Sequence, residues 1–278
     1  MQTKLTSLDI QMIIGLYIGG KTQREIAKQF CCSPTVICRI LKKHSIKTRR
    51  FGGNLKYKDI NTNFFKEINC EENAYFLGLL YADGCVSTKN KSYLISLKLK
   101  KSDAHIIERF KNIMSPSSLV KTTKDGKYCY FNINQKEICE QLINLGCVPN
   151  KSLILEFPTK VPINLIHHFL RGYSDGDGSI YKNKLKNCIN TIWKITSTKN
   201  FCLKVTQILK NKLNINTSQS LAKPKTNEVT TNLTVGGNRQ TKILLDWLYQ
   251  DANIHLTRKY NRYVEFYQSC QKLNQHQK

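Results

Sequence analysis

The chain has 278 residues, which is long enough for two or three compact domains. Its 44 lysines and arginines against 19 aspartates and glutamates give a formal net charge of +25, which indicates a polyanionic partner, with nucleic acid as the first candidate. No apolar run approaches the roughly 18 residues of a membrane-spanning helix, and the 11 cysteines are odd in number without a CxxC pair, which favours reduced, mostly buried thiols over disulfides or zinc.

The first fifty residues carry the pattern of a small helical unit. Apolar residues recur at helical spacing over residues 10–17, and a pair of glycines then ends the helix. Thr22 and Glu25 form the T-x-x-E pattern of a capping box at the start of a second helix. Residues 33–43 follow as a third helix, with serine and proline at its start. Helices at this spacing predict a helix-turn-helix unit.

The segment TQREIAKQFCCSPTVICRILKKHSIKTRR resembles the helix-turn-helix of resolvase and invertase DNA-binding domains. This resemblance implies that helix 33–43 reads the major groove of DNA. The residues predicted to contact DNA on this helix are Thr35, Arg39, Lys42 and Lys43. A small helical bundle for protein contacts is the alternative, since amphipathic helix pairs are common. The basic run KKHSIKTRR favours DNA.

After a stretch rich in glycine, asparagine and basic residues, the sequence repeats itself. FLGLLYADG at 76–84 returns as LRGYSDGDG at 170–178, and each copy precedes segments that read as hairpin, helix, hairpin and helix. This order predicts an α+β fold of tandem αββαββα repeats with pseudo-twofold symmetry, preceded by the small all-α unit. The predicted domains are a helix-turn-helix domain (1–50), a basic linker (51–70), two repeat subdomains (71–160 and 161–270) and a polar tail (271–278).

Both repeated motifs end in an acidic residue, and both carry small residues four positions apart. The small residues are Gly78 and Ala82 in the first copy and Gly172 and Gly176 in the second. This spacing puts each pair on one helical face, so the two helices could pack unusually closely. Glycine in a helix costs about 1 kcal/mol relative to alanine, which favours a packing reason. A close, parallel pair would bring Asp83 and Asp177 together at the helix ends, where a shared cation would relieve their repulsion.

The two motifs resemble those of the single-chain LAGLIDADG homing endonucleases. The match covers residues 71 to about 265 and includes LGCVPNKSLILEFP and IHLTRKYNRY, which resemble the segment ends of that family. The resemblance implies a site-specific double-strand DNA endonuclease, with the metal-binding acid at the eighth motif position, Asp83 and Asp177. The sixth position departs in the first copy, where Tyr81 replaces an acid.

Metal-dependent chemistry fits these residues independently. Phosphodiester hydrolysis uses divalent ions that activate water and stabilise the leaving oxygen, and hard carboxylate oxygens suit Mg²⁺. We expect two or more Mg²⁺ ions, with Mn²⁺ as a substitute. The family resemblance assigns the basic active-site residue to Lys151 and leaves its second-half counterpart open between Arg258 and Lys259. An ordinary solvated side chain is the alternative for Lys151.

Strand segments in both halves alternate between apolar and polar residues. The alternation covers residues 95–100 in the first half and residues 190–196 in the second. Two sheets with one polar face each could form a saddle along the DNA major groove, although half-solvated sheets show the same alternation without DNA. The residues predicted to contact DNA on these faces are Lys98, Lys100, Lys194 and Thr196.

We therefore expect a monomer that cleaves double-stranded DNA without a membrane partner, in the cytoplasm, the nucleoid or an organellar matrix. Two alternatives use the same scaffold: a transcription regulator that has lost cleavage, and a group I intron maturase that binds its host intron RNA. The presence of both Asp83 and Asp177 argues against the regulator.

Overall fold

The computed structural model describes residues 5–48, 59–89, 92–184, 189–222 and 230–275. The chain forms two compact units, Met1–Tyr57 and Lys58–Lys278. Within the described ranges, none of the helices combines the length and the hydropathy that crossing a membrane requires.

The helices are α1 (Ser7–Ile18), α2 (Gln23–Gln29), α3 (Pro34–Lys43), α4 (Glu71–Ala82), α5 (Ala104–Met114), α6 (Lys136–Asn144), α7 (Ile166–Asp177), α8 (Lys199–Leu213), α9 (Asn238–Leu248) and α10 (Thr257–Gln275). The strands are β1 (Gly84–Ser87), β2 (Leu94–Lys100), β3 (Lys121–Thr122), β4 (Tyr128–Ile133), β5 (Gly178–Lys184), β6 (Ile189–Thr198), β7 (Ser218–Leu221) and β8 (Thr230–Val235).

The first unit is a three-helix arrangement, α1 to α3, around a small apolar core. The predicted capping box of α2 is confirmed: the Thr22 hydroxyl accepts from the Glu25 amide at 3.2 Å, and the Glu25 carboxylate accepts from the Thr22 amide at 2.7 Å. Ser33 occupies the N-cap position of α3, but its side-chain oxygen accepts no capping hydrogen bond from the helix. The buried core residues are Ile13, Tyr17, Ile26, Ala27, Ile37 and Leu41.

The second unit contains the predicted tandem repeat, and its α+β class is confirmed. Each half runs helix, two strands, helix, two strands, helix. Both sheets are antiparallel and four-stranded with equivalent strand orders, β1-β2-β4-β3 and β5-β6-β8-β7. Each half folds this way because its strands bury one apolar face against its own helices, as the alternating burial of β2 and β6 shows.

The helices α4 and α7 form the buried centre of the second unit. Residues 73–81 of α4 and 166–175 of α7 are all buried. A side-chain Cβ added at Gly78 would lie 2.0 Å from the Phe169 carbonyl oxygen, and one at Gly172 would lie 2.0 Å from that of Tyr75. The packing reason predicted for these glycines is therefore confirmed, because any larger residue would separate the two backbones.

The second part of the predicted linker, 51–70, is not a linker but belongs to the second unit. Phe65 and Ile68 are buried in the core of the second unit, and the Phe65 ring centroid lies 6.4 Å from that of Phe110. Their aromatic and apolar side chains belong to that core because burying them is more favourable than leaving them in water. Residues 51–58 lie outside the described part of the chain, as do 276–278 of the predicted tail, whose earlier residues continue α10.

The cysteines differ from the expectation of mostly buried thiols. All ten that the structure describes are free, but only four of these are buried: Cys129, Cys139, Cys147 and Cys202. The other six are exposed or partly exposed, and they include Cys31 and Cys32 in the turn between α2 and α3.

Candidate functional site

Two carboxylates meet at the C-terminal ends of the central helices. Asp83 is the C-cap of α4, and Asp177 is the last residue of α7. A Cβ added at Gly176 would lie 2.3 Å from the Ala82 Cβ and 3.1 Å from the Asp83 Oδ2, so the Asp83 carboxylate lies against α7 one residue before Asp177. The contacts advance in the same direction along both helices, which makes the pair parallel and places both carboxylates at one end.

The electrostatics of this pair favour a bound cation. Dehydration by the surrounding protein and, after it, repulsion from Asp83 raise the pKa of Asp177 to about 6. Dehydration also raises the pKa of Asp83, whereas the nearby charges of Lys259, Arg258 and Lys151 act in the opposite direction. Both carboxylates are nevertheless accessible to solvent, so that water and ions can reach them. Two accessible carboxylates that repel each other are a suitable pair of ligands for a divalent ion.

A lysine stands beside each carboxylate in an equivalent position. Lys151 Nζ donates to the carbonyl of Gly84, and Lys259 Nζ donates to the carbonyl of Gly178 at 2.7 Å. Each glycine directly follows its motif aspartate and opens the first strand of its half. By position, Lys259 is therefore the counterpart of Lys151 under the pseudo-twofold symmetry, and the part of either lysine in the chemistry stays a prediction.

Arg258 has a different partner. Its Nε donates to the buried carboxylate of Asp103 at 3.0 Å, immediately before α5 of the first half. This ion pair joins the two halves and turns the Arg258 side chain toward Asp103, although its charge remains close enough to affect the pKa of Asp83.

The two lysines differ in their surroundings. Lys259 is only 5% exposed and also donates to the carbonyls of Ser174 at 2.5 Å and Asp175 at 2.7 Å, and burial lowers its pKa to about 8. Lys151 begins a 3₁₀ turn, Lys151–Leu153, and is half-buried. Lys259 therefore has all three of its N–H donors occupied by carbonyl oxygens, whereas the described contacts of Lys151 use one.

The donor set fits Mg²⁺ better than a metal that needs a complete protein cage. Within the described ranges, no group of three or more histidine, cysteine, aspartate or glutamate side chains is arranged to hold a metal. Mg²⁺ is commonly held by one or two carboxylates, with water and substrate phosphate supplying the remaining oxygens. Asp83 and Asp177 are the residues that would hold it when DNA is present.

The two sheets each expose one polar face. On β2, Lys98 and Lys100 are exposed, and the Lys98 Nζ lies 4.7 Å from the centroid of the Tyr128 ring. On β6, Lys194 and Thr196 are partly exposed, and the Thr196 hydroxyl donates to the Asn232 side chain at 2.8 Å. The alternation predicted for both strands is confirmed, whereas contact of these faces with DNA stays a prediction.

In the first unit, α3 presents its predicted DNA contacts to solvent. Thr35, Arg39, Lys42 and Lys43 are all exposed and recur at helical spacing on one face. The opposite side of α3 carries Ile37 and Leu41 into the core. This arrangement is compatible with a groove-reading helix, and both that role and the resemblance to resolvases stay predictions.

The sequence analysis did not identify the buried polar residues that fix the loop between α9 and α10 and the two central helices. Asp175 accepts from the Leu256 amide and from the Tyr75 hydroxyl, each at 2.8 Å. Glu71 of α4 pairs with the buried Arg171 of α7 at 2.5 Å. Charged residues inside otherwise apolar helices were the available signal, since a buried charge needs a partner.

Comparisons with known proteins agree with this architecture. Residues 164–246 match the family model described as LAGLIDADG-like domain. The solved structure of the I-LtrWI LAGLIDADG homing endonuclease bound to target DNA has a TM-score of 0.53 and 12% identity, covering 74% of this chain and 91% of that one. The LAGLIDADG homing endonuclease I-GzeII in complex with its DNA target has a TM-score of 0.52 and 11% identity, covering 76% and 92%. At such identities the likeness concerns the fold.

A curated relative is the uncharacterized protein MJ0314 of Methanocaldococcus jannaschii, which is 30% identical over 165 residues. The aligned region covers 58% of this chain and spans 61% of the length of that relative.

Proposed function

We propose that this protein is a site-specific double-strand DNA endonuclease that depends on divalent metal ions, with Mg²⁺ as the physiological ion. The proposal starts from the LAGLIDADG-like domain of the chain and from the fold that it shares with the LAGLIDADG homing endonucleases. One observation carries the proposal: two mutually repelling carboxylates, each with a lysine beside it, lie at the ends of two tightly packed parallel helices. The pseudo-twofold arrangement provides one carboxylate and one lysine for each DNA strand.

The roles of the residues follow from their geometry. Divalent ions, when bound, would lower the pKa of the attacking water and stabilise the leaving oxygen. Asp83 and Asp177 would hold these ions between the helix ends and the scissile phosphates. Lys151 has donors left for a phosphate oxygen or a water, whereas Lys259 would act as a fixed positive charge because its donors are occupied.

We assign DNA binding to three surfaces. The polar faces of the two sheets, which include Lys98, Lys100, Lys194 and Thr196, would contact the central target, since the major groove accepts β-ribbons. The α3 helix would extend the target to one side. One chain supplies both halves of the site, which supports a monomer, and size-exclusion chromatography with light scattering checks this state.

The test starts from a library of randomised DNA duplexes, from which bound sites are selected in Ca²⁺ and then offered to the protein in Mg²⁺. We expect a discrete double-strand cut by the wild type, loss of cutting with either Asp83→Asn or Asp177→Asn, and retained binding in both variants. Tight, sequence-specific binding by the wild type without cutting in Mg²⁺ or Mn²⁺ would contradict the nuclease and support a DNA-binding regulator. Preferential binding of structured RNA would support a maturase.

A further inference from the structure

The ammonium group of Lys259 is held at the end of α7, the helix that ends in Asp177. Its ammonium group bonds to the carbonyls of Ser174 and Asp175 at the end of α7 and to that of Gly178 at the start of β5. The residue itself lies in the first turn of α10, directly after the loop that connects α9 to α10. The position of its ammonium group therefore depends on how that loop is anchored.

The carboxylate of Asp175 anchors this loop directly. Asp175 is 1% exposed, and its Oδ2 accepts from the Leu256 amide, the last loop residue, at 2.8 Å. The same oxygen accepts from the Tyr75 hydroxyl of α4 at 2.8 Å. A buried carboxylate needs such partners, since an unpaired charge inside a protein is strongly unfavourable. Asp175 occupies the sixth position of the second motif, two residues before Asp177, so one helix turn holds both the carboxylate and the loop.

A second anchor holds the same loop two residues earlier, at Ile254 instead of Leu256. Glu71 accepts from the amides of Asn253 at 2.7 Å and Ile254 at 3.0 Å. Arg171 pairs with Glu71 and donates to the Ile254 carbonyl at 2.9 Å. Because Glu71 and Arg171 belong to the two motif helices, the whole loop is fixed to the framework that carries the carboxylates.

The first half has an equivalent anchor with fewer hydrogen bonds. Tyr81, at the sixth position of the first motif, donates its hydroxyl to the Leu145 carbonyl at 2.5 Å, in the segment that leads from α6 to Lys151. Cys147 adds a thiol contact to the Leu80 carbonyl at 3.6 Å. The sixth motif residue thus contacts the lysine-bearing segment of its own half in both copies, with a carboxylate in one and a phenol in the other.

We propose that Asp175 and Tyr81 are positioning residues, each of which sets the place of the active-site lysine in its own half and hence the cleavage rate of one DNA strand. This inference rests on the proposed function of the site. Neither side chain needs to touch DNA. Loss of Asp175 would release the start of α10 and displace Lys259, leaving Lys151 in place, and loss of the Tyr81 hydroxyl would do the reverse with a smaller effect.

The experiment compares the two strands of one target, each labelled at a different end, in single-turnover cleavage. For Asp175→Ala we expect one strand to be cut about 10- to 100-fold more slowly, with accumulation of a nicked intermediate, because a misplacement of about 1 Å beside the reacting atoms can cost that much. Asp175→Asn keeps an oxygen that can accept from the Leu256 amide, and we expect it to restore most of the rate. Tyr81→Phe should slow the other strand by a few-fold, in the range of a single lost neutral hydrogen bond.

A second measurement does not depend on cleavage. In limited acetylation followed by mass spectrometry, Lys259 should react slowly in the wild type and at least about tenfold faster in Asp175→Ala, because its buried ammonium is released to solvent. The rate at Lys151 should not change. If the wild type cuts no DNA, the proposed function fails, while this protection still decides the positioning role.

Equal slowing of both strands by Asp175→Ala, or unchanged protection of Lys259, would overturn the proposal. If Asp175→Ala does not fold, Tyr81→Phe tests the positioning role instead, because removing a single hydroxyl disturbs the fold much less. Unchanged single-strand rates in that variant would likewise contradict a positioning role.

Discussion

At the residue scale, the molecule places its charges where they are costly for the folded chain alone. Asp83 and Asp177 repel each other at the ends of two helices, where the backbone dipoles also oppose negative charge. Lys259 has lost most of its water and holds its proton less tightly than a free lysine. In the proposed function a divalent cation would offset the repulsion between the carboxylates, and DNA phosphates would offset the cost of burying the lysine charge.

The pH dependence of Asp177 gives a prediction. Its pKa in the folded protein, about 6, lies above the ordinary aspartate value, so the folded state binds this proton more tightly than the unfolded state does. The resulting stabilisation is present below about pH 4 and is lost as the pH rises through about 6. Without metal, Asp177→Asn should therefore unfold at a higher temperature than wild type at pH 7. The gain in the free energy of unfolding should be at most about 1 kcal/mol, because solvent screens the carboxylate.

Thermal unfolding in EDTA between pH 4 and pH 8 measures this difference, which should shrink toward pH 4. The matched control is Glu265→Gln on α10, which removes an equal charge from an exposed position. Added Mg²⁺ should stabilise the wild type more than Asp177→Asn. A wild type that is more stable than Asp177→Asn at pH 7 in EDTA would contradict the account.

At the element scale, α4 and α7 determine the geometry of the site. Their glycines allow backbone contact, so that the Asp83 carboxylate at the end of α4 lies against the end of α7. The same two helices carry the anchors of the lysine-bearing segments, Tyr81 and Asp175. A disturbance of the helix contact should therefore affect stability and catalysis together.

Gly172→Ala tests this contact. The added Cβ would lie 2.0 Å from the Tyr75 carbonyl oxygen, and the backbone cannot yield without separating the helices, so we expect a loss of about 3 kcal/mol, the upper part of the usual range for overpacking, in the free energy of unfolding. Gly15→Ala on α1 is the matched control, because a Cβ there meets nothing within 4 Å and alanine favours a helix by about 1 kcal/mol. Denaturant unfolding followed by circular dichroism gives both values. A Gly172→Ala protein as stable as wild type would show that the helices can move apart freely.

At the scale of the whole molecule, the net charge of +25 favours a polyanionic partner, and the proposed partner is DNA. Each phosphate contact releases counterions, so binding should weaken steeply as salt increases, with a slope of about −0.9 per contact on logarithmic axes. The second unit provides two polar sheet faces, and the first provides the exposed face of α3.

If α3 reads DNA, the double variant Arg39→Ala/Lys42→Ala should shorten the protected region at one end only. We expect the cleavage position to stay the same and affinity to fall by about 1–3 kcal/mol, the usual effect of losing a base-reading arginine. Hydroxyl-radical footprinting in Ca²⁺ measures the protected region. Lys199→Ala, on α8 behind the second sheet, is the control and should leave it unchanged. An unchanged footprint in the double variant would favour the protein-binding alternative for the first unit.

Features with a local signal could be predicted from the sequence. The capping box of α2, the alternation along β2 and β6, and the two motif copies are patterns within a few residues or at a fixed offset, so they predicted the helices, the sheets and the meeting of Asp83 with Asp177. Only the tertiary structure shows that Lys259, rather than Arg258, occupies the position equivalent to Lys151, and which residues anchor it. Leu256 and Asp175 are 81 residues apart, and Arg171 and Glu71 are 100 apart. No periodicity records such contacts, because they form only when the two motif helices and the loop between α9 and α10 pack together.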